Sequence, residues 1–215
     1  MSLIRNKVFE QVRGEILSCS LMPGMELREA NLAKRFGVSK SPIRDALQKL
    51  EFEGLVEIEP RRGHRVRPIS LKDAQDILEL RAILDAGAVR LIVEVCTDEE
   101  LKELDRFREM KSCCSKADFA AYNREFHTYL AKLSKNNRLA EECQRVMEFY
   151  DRICIVSLTA LTNGVTFGEP LADHCDIIDA LQARNASKAA RLARKHVEKS
   201  RGQVMRALES RAIIA

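Results

Sequence analysis

Apolar positions along the chain follow two regimes. Up to residue 67 they form short groups separated by turn residues. From residue 71 they recur every three or four residues over long stretches. Ile4, Val8, Val12, Ile16 and Leu17 predict a first helix over about 3–18, broken before Pro23-Gly24. Leu27, Leu32, Ala33 and Phe36 mark the inner side of a short amphipathic helix, ended by a turn at Gly37-Val38. Ile43, Ala46, Leu47 and Leu50 form one stripe of the next helix. Ser39 and Ser41 are good N-cap residues for it, and Pro42 is tolerated in a first turn. Val56 and Ile58 then alternate with Glu57 and Glu59, as in a half-buried strand. The turn Pro60-Arg61-Arg62-Gly63 leads to a second strand, His64-Arg65-Val66-Arg67.

That order predicts a helix-turn-helix with a wing over residues 1–67, followed by a linker at 68–70. Pro68 there disfavours helix in the residue before it. Ser70, with Asp73 three residues on, opens the long helix 71–95, whose apolar set is Ile77, Leu78, Leu80, Ile83, Leu84 and Val89. Thr97-Asp98-Glu99-Glu100 starts a helix expected to end near Ser112. Helices over 117–133, 139–161, 171–184 and 186–210 follow, with turns at Asn136-Asn137, Asn163-Gly164 and Gly168-Glu169-Pro170. The fold expected is mostly α: an N-terminal winged helix-turn-helix and a C-terminal all-α six-helix bundle over 71–215.

Charge separates the two parts. Residues 1–69 carry 13 Lys and Arg against 9 Asp and Glu, out of 36 and 32 in the chain, which leaves 23 of each for residues 70–215. The excess therefore belongs to the part with the recognition-type helix. Lys40, Ser41, Arg44 and Gln48 share the polar face of that helix, and all can donate to base edges or phosphates in a major groove. Arg61, Arg62, Arg65 and Arg67 concentrate positive charge on the wing, where a phosphate backbone or minor groove could be gripped. Alone, such a helix or hairpin is as well read as a solvated surface; in sequence, the helix, turn and wing point to double-stranded operator DNA.

The seven cysteines are odd in number and show no C-x-x-C spacing. The early charges Arg5, Lys7 and Glu10 rule out a secretory start, so free thiols and a cytoplasmic location are expected. Cys113-Cys114 reads as an incidental adjacent pair. No apolar run reaches the ~20 residues needed to span a bilayer.

Three of the four histidines, His127, His174 and His196, lie in the bundle, each on the apolar face of its own helix. A lone inward histidine is usually a hydrogen-bonded core residue. Three on separate helices are economically explained by one divalent metal, which would satisfy three buried acceptors together. Asn123, one turn before His127, can add an amide oxygen. Zn, Ni or Mn are chemically acceptable.

The segment GVSKSPIRDALQKLEFEGLVEIEPRRGHRV resembles the winged helix of GntR-family transcription regulators, with Lys40 and Ser41 where that family usually has Arg and often Thr. NREFHTYL, DHCDIIDAL and ARKHVEKS resemble the metal-ligand segments of the FCD effector domain of the FadR subfamily. LELRAILDAGAVRLI resembles that domain's opening helix, and six helices resemble its shorter, VanR-like form. The resemblance implies that Ser39, Lys40, Ser41 and Arg44 contact operator, and that Gly63 and His64 reach toward the minor groove. It implies metal ligation by His127, His174 and His196, with Asn123 where the family most often has Asp. It further implies a small carboxylate effector, for which Arg81 is the expected cation. A homodimer is expected from the need to span two half-sites about one helical turn, roughly 34 Å, apart. The function expected is a ligand-responsive regulator, most simply a repressor. One alternative is a regulator responding to metal alone. A metal-dependent enzyme tethered to a DNA-binding part is disfavoured, because no H-E-x-x-H, nucleophile elbow or phosphate loop occurs.

Overall fold

A long first helix, α1 (Ser2–Leu17), is followed by β1 (Glu26–Leu27), α2 (Glu29–Phe36), α3 (Lys40–Phe52), β2 (Val56–Glu59) and β3 (Gly63–Val66). The computed structural model describes residues 2–60, 63–110, 115–160 and 167–209. Its contacts divide the chain into two compact units, one running to Ile69 and the other starting at Ser70. Arg61, Arg62, Cys113-Cys114 and Asn163-Gly164 lie outside the described residues.

In the first unit the stripe Ile43, Ala46, Leu47 and Leu50 turns α3 inward against Val8, Phe9, Val12 and Ile16 of α1. Each such buried aliphatic side chain stabilises the fold by roughly 1.5–3 kcal/mol relative to exposure. Lys49 lies over the Phe9 ring, 3.6 Å from its centroid, and Arg5 pairs with Asp45 at 3.1 Å, tying α1 to α3. Gly37 ends α2 in the left-handed region at φ 65, and the amide of Val38 donates back to Ala33. That φ suits glycine and sets the turn into α3.

Three expectations are corrected here. Leu27 is buried, but from β1 rather than from α2, because Arg28 is extended and α2 begins at Glu29. β1 was not expected; it pairs antiparallel with β3, giving the order β1-β3-β2 with Glu59 opposite Gly63. Ile4 and Ile58 face solvent instead of packing, since α1 buries Phe9 and β2 buries only Val56.

The second unit contains α4 (Leu71–Val95), α5 (Asp98–Lys102), a 3₁₀ turn (Glu103–Phe107), α6 (Lys116–Leu133), α7 (Asn137–Ala160), α8 (Gly168–Gln182) and α9 (Ala186–Glu209). Ser70 caps α4 by accepting from Asp73, and Thr97 and Ser115 close capping boxes with Glu100 and Asp118. α4 is central: it packs on α6, α7, α8 and α9. The helix expected to reach Ser112 stops at Lys102 and tightens. Leu101, Leu104 and Phe107 explain this, since they are buried at a spacing of three, the period of a 3₁₀ helix. α8 starts three residues earlier than expected, with Pro170 tolerated near its start. No helix among the described residues is long and apolar enough to cross a membrane.

Candidate nucleic-acid interface and histidine centre

On α3 the outward face carries Lys40, Ser41, Arg44 and Gln48, all exposed, while the inward stripe is fully buried. Ser39 occupies the N-cap position in an extended conformation, but its hydroxyl makes no capping hydrogen bond. The first-turn amides of α3 therefore keep their donors beside an open groove of about 400 Å³, lined by Arg5, Ser39, Ser41 and Asp45 among others. A helix N-terminus with free amides favours phosphate. Arg44 Nε donates to Glu29 at 2.8 Å across the α2–α3 angle. On the wing, Gly63 is exposed with φ 101, and His64 is half-buried with Nδ1 lacking a partner. Arg65, expected at the nucleic acid, donates to Glu57 at 2.5 Å and lies 3.9 Å from Glu59. It braces the hairpin.

The second unit brings the three bundle histidines together. His127 of α6, His174 of α8 and His196 of α9 are buried, and their ligand nitrogens all lie within 4.8 Å of one another. Sequence packing explains the convergence. His174 stacks on Phe126 at 4.0 Å between centroids, and His127 lies nearly parallel to His196 at 5.3 Å. Desolvation holds all three imidazoles below their usual pKa, His127 and His174 well below it, so all are neutral at pH 7 and keep a lone pair.

Three side chains that sequence reasoning missed stand beside the Nδ1 atoms. Tyr122 Oη donates to the Phe107 carbonyl at 2.7 Å, so at 3.1 Å it accepts from His174 Nδ1. Asp173, itself held by Lys199 at 2.7 Å, lies 3.4 Å from His196 Nδ1. Asp85 lies 3.1 Å from His127 Nδ1. The oxygens beside His174 Nδ1 and His196 Nδ1 place the proton there and leave Nε2 as the acceptor. At His127 the Asp85 oxygen is off the hydrogen-bonding direction, and Nε2 is the acceptor because Arg81, which faces it, can only donate. Asp85 could have been noticed four residues after Arg81 in an apolar stripe; the other two offered no sequence signal.

The donor set fits a borderline divalent metal. His174 Nε2 and His196 Nε2 stand 3.3 Å apart. That is near the ~3.4 Å edge of a tetrahedron with Zn–N bonds of about 2.1 Å. Asn123, one turn from His127, is buried, and its Nδ2 finds no partner, so no hydrogen bond fixes which way its amide faces. Asn123 and His196 also line a cavity of about 20 Å³ with Ser157, Ser200 and Gln203, room for roughly one water-sized occupant. Arg81, 1 % exposed, does not line that cavity. Its Nη2 instead lies 2.5 Å from His127 Nε2 and 3.3 Å from His196 Nε2.

The chain was compared with known proteins. Residues 4–66 match the family described as bacterial regulatory proteins, gntR family, and residues 76–199 match the FCD domain. The HTH-type transcriptional regulator YdhC of Bacillus subtilis is 28 % identical over 186 residues, covering 84 % of this chain and 82 % of that protein. The HTH-type transcriptional repressor RspR of Escherichia coli is 24 % identical over 199 residues, covering 91 % and 86 %. In structure, a GntR transcriptional regulator from Rhodococcus sp. RHA1 superposes with a TM-score of 0.79 at 24 % identity, covering 93 % of this chain and 96 % of that one.

Proposed function

Since this chain belongs to the GntR family of DNA-binding transcriptional regulators and carries their FCD domain, we propose that it is an operator-binding repressor gated by a small carboxylate at a metal centre. His127, His174 and His196 would hold the ion, with the Asn123 oxygen as a further donor. The observation that carries this reading is the convergence of three neutral, buried imidazoles whose ligand nitrogens lie within 4.8 Å of one another. With three nitrogens and no carboxylate in the set, Zn or Ni suits the site better than Mn. A bound ion supplies a Lewis-acidic position for a carboxylate oxygen. The Asn123 amide hydrogens orient the rest of the acid. Arg81 stands within reach of the ion's position as a second cation.

Operator recognition falls to Ser39, Lys40, Ser41, Arg44 and Gln48 on α3, with Gly63, His64 and the arginines Arg61 and Arg62 at the wing. The protein would act as a cytoplasmic homodimer, its two recognition helices spanning half-sites about 34 Å apart. The repressor RspR, similar over most of its length, supports the direction of control. Effector binding changes operator affinity to the extent that the acid prefers one conformation of the bundle, and operator then changes acid affinity by the same factor.

The test is elemental analysis of the purified full-length protein beside its His174→Ala variant. One equivalent of metal per wild-type chain and a loss of most of it in the variant are expected. Metal retained by the variant would remove the centre. A second reading, response to metal alone, is favoured by the small cavity, which admits an acid only if the surrounding helices yield. A thermal-shift screen of small carboxylates on the metal-loaded protein separates the two: no acid stabilises a sensor of metal alone.

A further inference from the structure

The three Nε2 lone pairs already have a cation among them. Oxygens hydrogen-bonded to Nδ1 of His174 and His196, and a donor-only guanidinium facing Nε2 of His127, make all three Nε2 atoms acceptors. Two acceptors 3.3 Å apart, as in His174 and His196, repel unless something positive or hydrogen-bearing lies beside them. Arg81 Nη2 stands beside two of the three, donating toward His127 and His196. It carries two hydrogens, so it can serve two of the lone pairs and leaves that of His174 without a donor. A metal ion serves all three. The rest of the guanidinium is poorly used: Arg81 Nε and Nη1 are buried without an aligned partner, Asp85 Oδ2 stands 3.4 Å from Nε off the hydrogen-bonding direction, and the Tyr150 ring lies 4.4 Å from the guanidinium carbon. Unsatisfied buried polar atoms gathered round one point mark a site with a second arrangement.

We propose that Arg81 is a tethered internal competitor for the metal, so that ion entry requires its guanidinium to withdraw from His127 and His196. This rests on the histidine-centre reading and goes beyond it, because it makes metal affinity a property of Arg81. The guanidinium and an ion draw on the same lone pairs and carry the same sign of charge at contact distance, so they exclude one another. Withdrawal has a destination already built: Asp85, one turn along α4, can accept the two parallel bonds that the present geometry leaves unmade. It leaves the N–H groups of Arg81 that are not bound to Asp85 for an incoming carboxylate. The ion and the arginine would then become available to an acid in one step, which makes metal loading a precondition for effector binding.

The test is a zinc titration of the metal-stripped, full-length protein against a chromophoric chelator, on wild type, Arg81→Met and the double variant Arg81→Met/Asp85→Asn. The double variant removes a positive and a negative charge together, so a gain that survives in it reports release of the lone pairs and not the local charge. Zinc affinity at least tenfold tighter than wild type in both variants is expected. Equal or weaker affinity in the variants, with wild type still binding, overturns the competition and leaves the metal centre standing. No binding by wild type or variants overturns both. Where the variants fail to fold, nitrogen-detected NMR of the arginine side chains decides on the wild type alone. A stoichiometric zinc addition must shift the Arg81 Nε–H resonance, and an unmoved resonance overturns the proposal.

Discussion

Two partners compete for the Arg44 guanidinium. It is more than half exposed and held by Glu29 at 2.8 Å. An exposed ion pair of that kind is worth about 0–1 kcal/mol. A good bidentate contact to a guanine edge is worth about 1–3 kcal/mol, so operator wins the residue and Glu29 holds it in readiness. Arg44→Ala is expected to weaken operator binding by ten- to a hundredfold in an equilibrium titration, with the melting temperature of the protein unchanged. Binding that survives intact places recognition elsewhere. Glu29→Gln should leave binding equal or tighter. Arg44 and the three bundle histidines were legible in sequence because each is a polar side chain whose position relative to an apolar stripe is unambiguous. Asp85, Tyr122 and Asp173 were not, because they stand beside Nδ1 atoms of other helices, and only packing brings them there. The partner of Arg65 was hidden for a different reason: its strand places it across from Glu57, a pairing that register, not composition, decides.

Among the elements, the seam between α6 and α7 holds a charge that the bundle tolerates at a cost. Asp151 is buried, and Arg124 Nη1 donates to its Oδ2 while Oδ1 has no partner. Burial pushes this carboxyl up to about 7 despite the guanidinium. The sign follows from linkage. Between about 4 and 7 the folded chain keeps a proton that the unfolded chain has released, so the stability it contributes is present at low pH and lost as pH rises through 7. Melting temperatures of wild type and Asp151→Asn, compared from pH 5 to pH 8, should show wild type falling relative to the variant. A wild type that gains on the variant over that range contradicts the assignment. Element boundaries were less legible than element types. The capping residues Ser70 and Thr97 fixed starts well, while the Ser115 cap, one residue before α6, went unread. The 3₁₀ turn after Lys102 was hidden, because Leu101, Leu104 and Phe107 also satisfy an i, i+3 helical stripe. β1 is two residues long and exists only through its pairing with β3, which no local pattern announces.

For the whole molecule, the proposal is that a cationic winged helix and a neutral helical bundle share one equilibrium, with the histidine centre as the place where the cell's chemistry enters it. A coupling of this kind is worth about 1–3 kcal/mol, or roughly 5–150-fold in affinity, for each ligand on the other. The most direct measurement is operator affinity on one preparation in three conditions: as purified, after chelation and dialysis, and after zinc is restored, each with and without a small carboxylate identified by thermal shift. The account predicts that the acid changes operator affinity at least fivefold in the first and third conditions and leaves it unchanged in the second. An acid response that persists undiminished after the metal is stripped would contradict it.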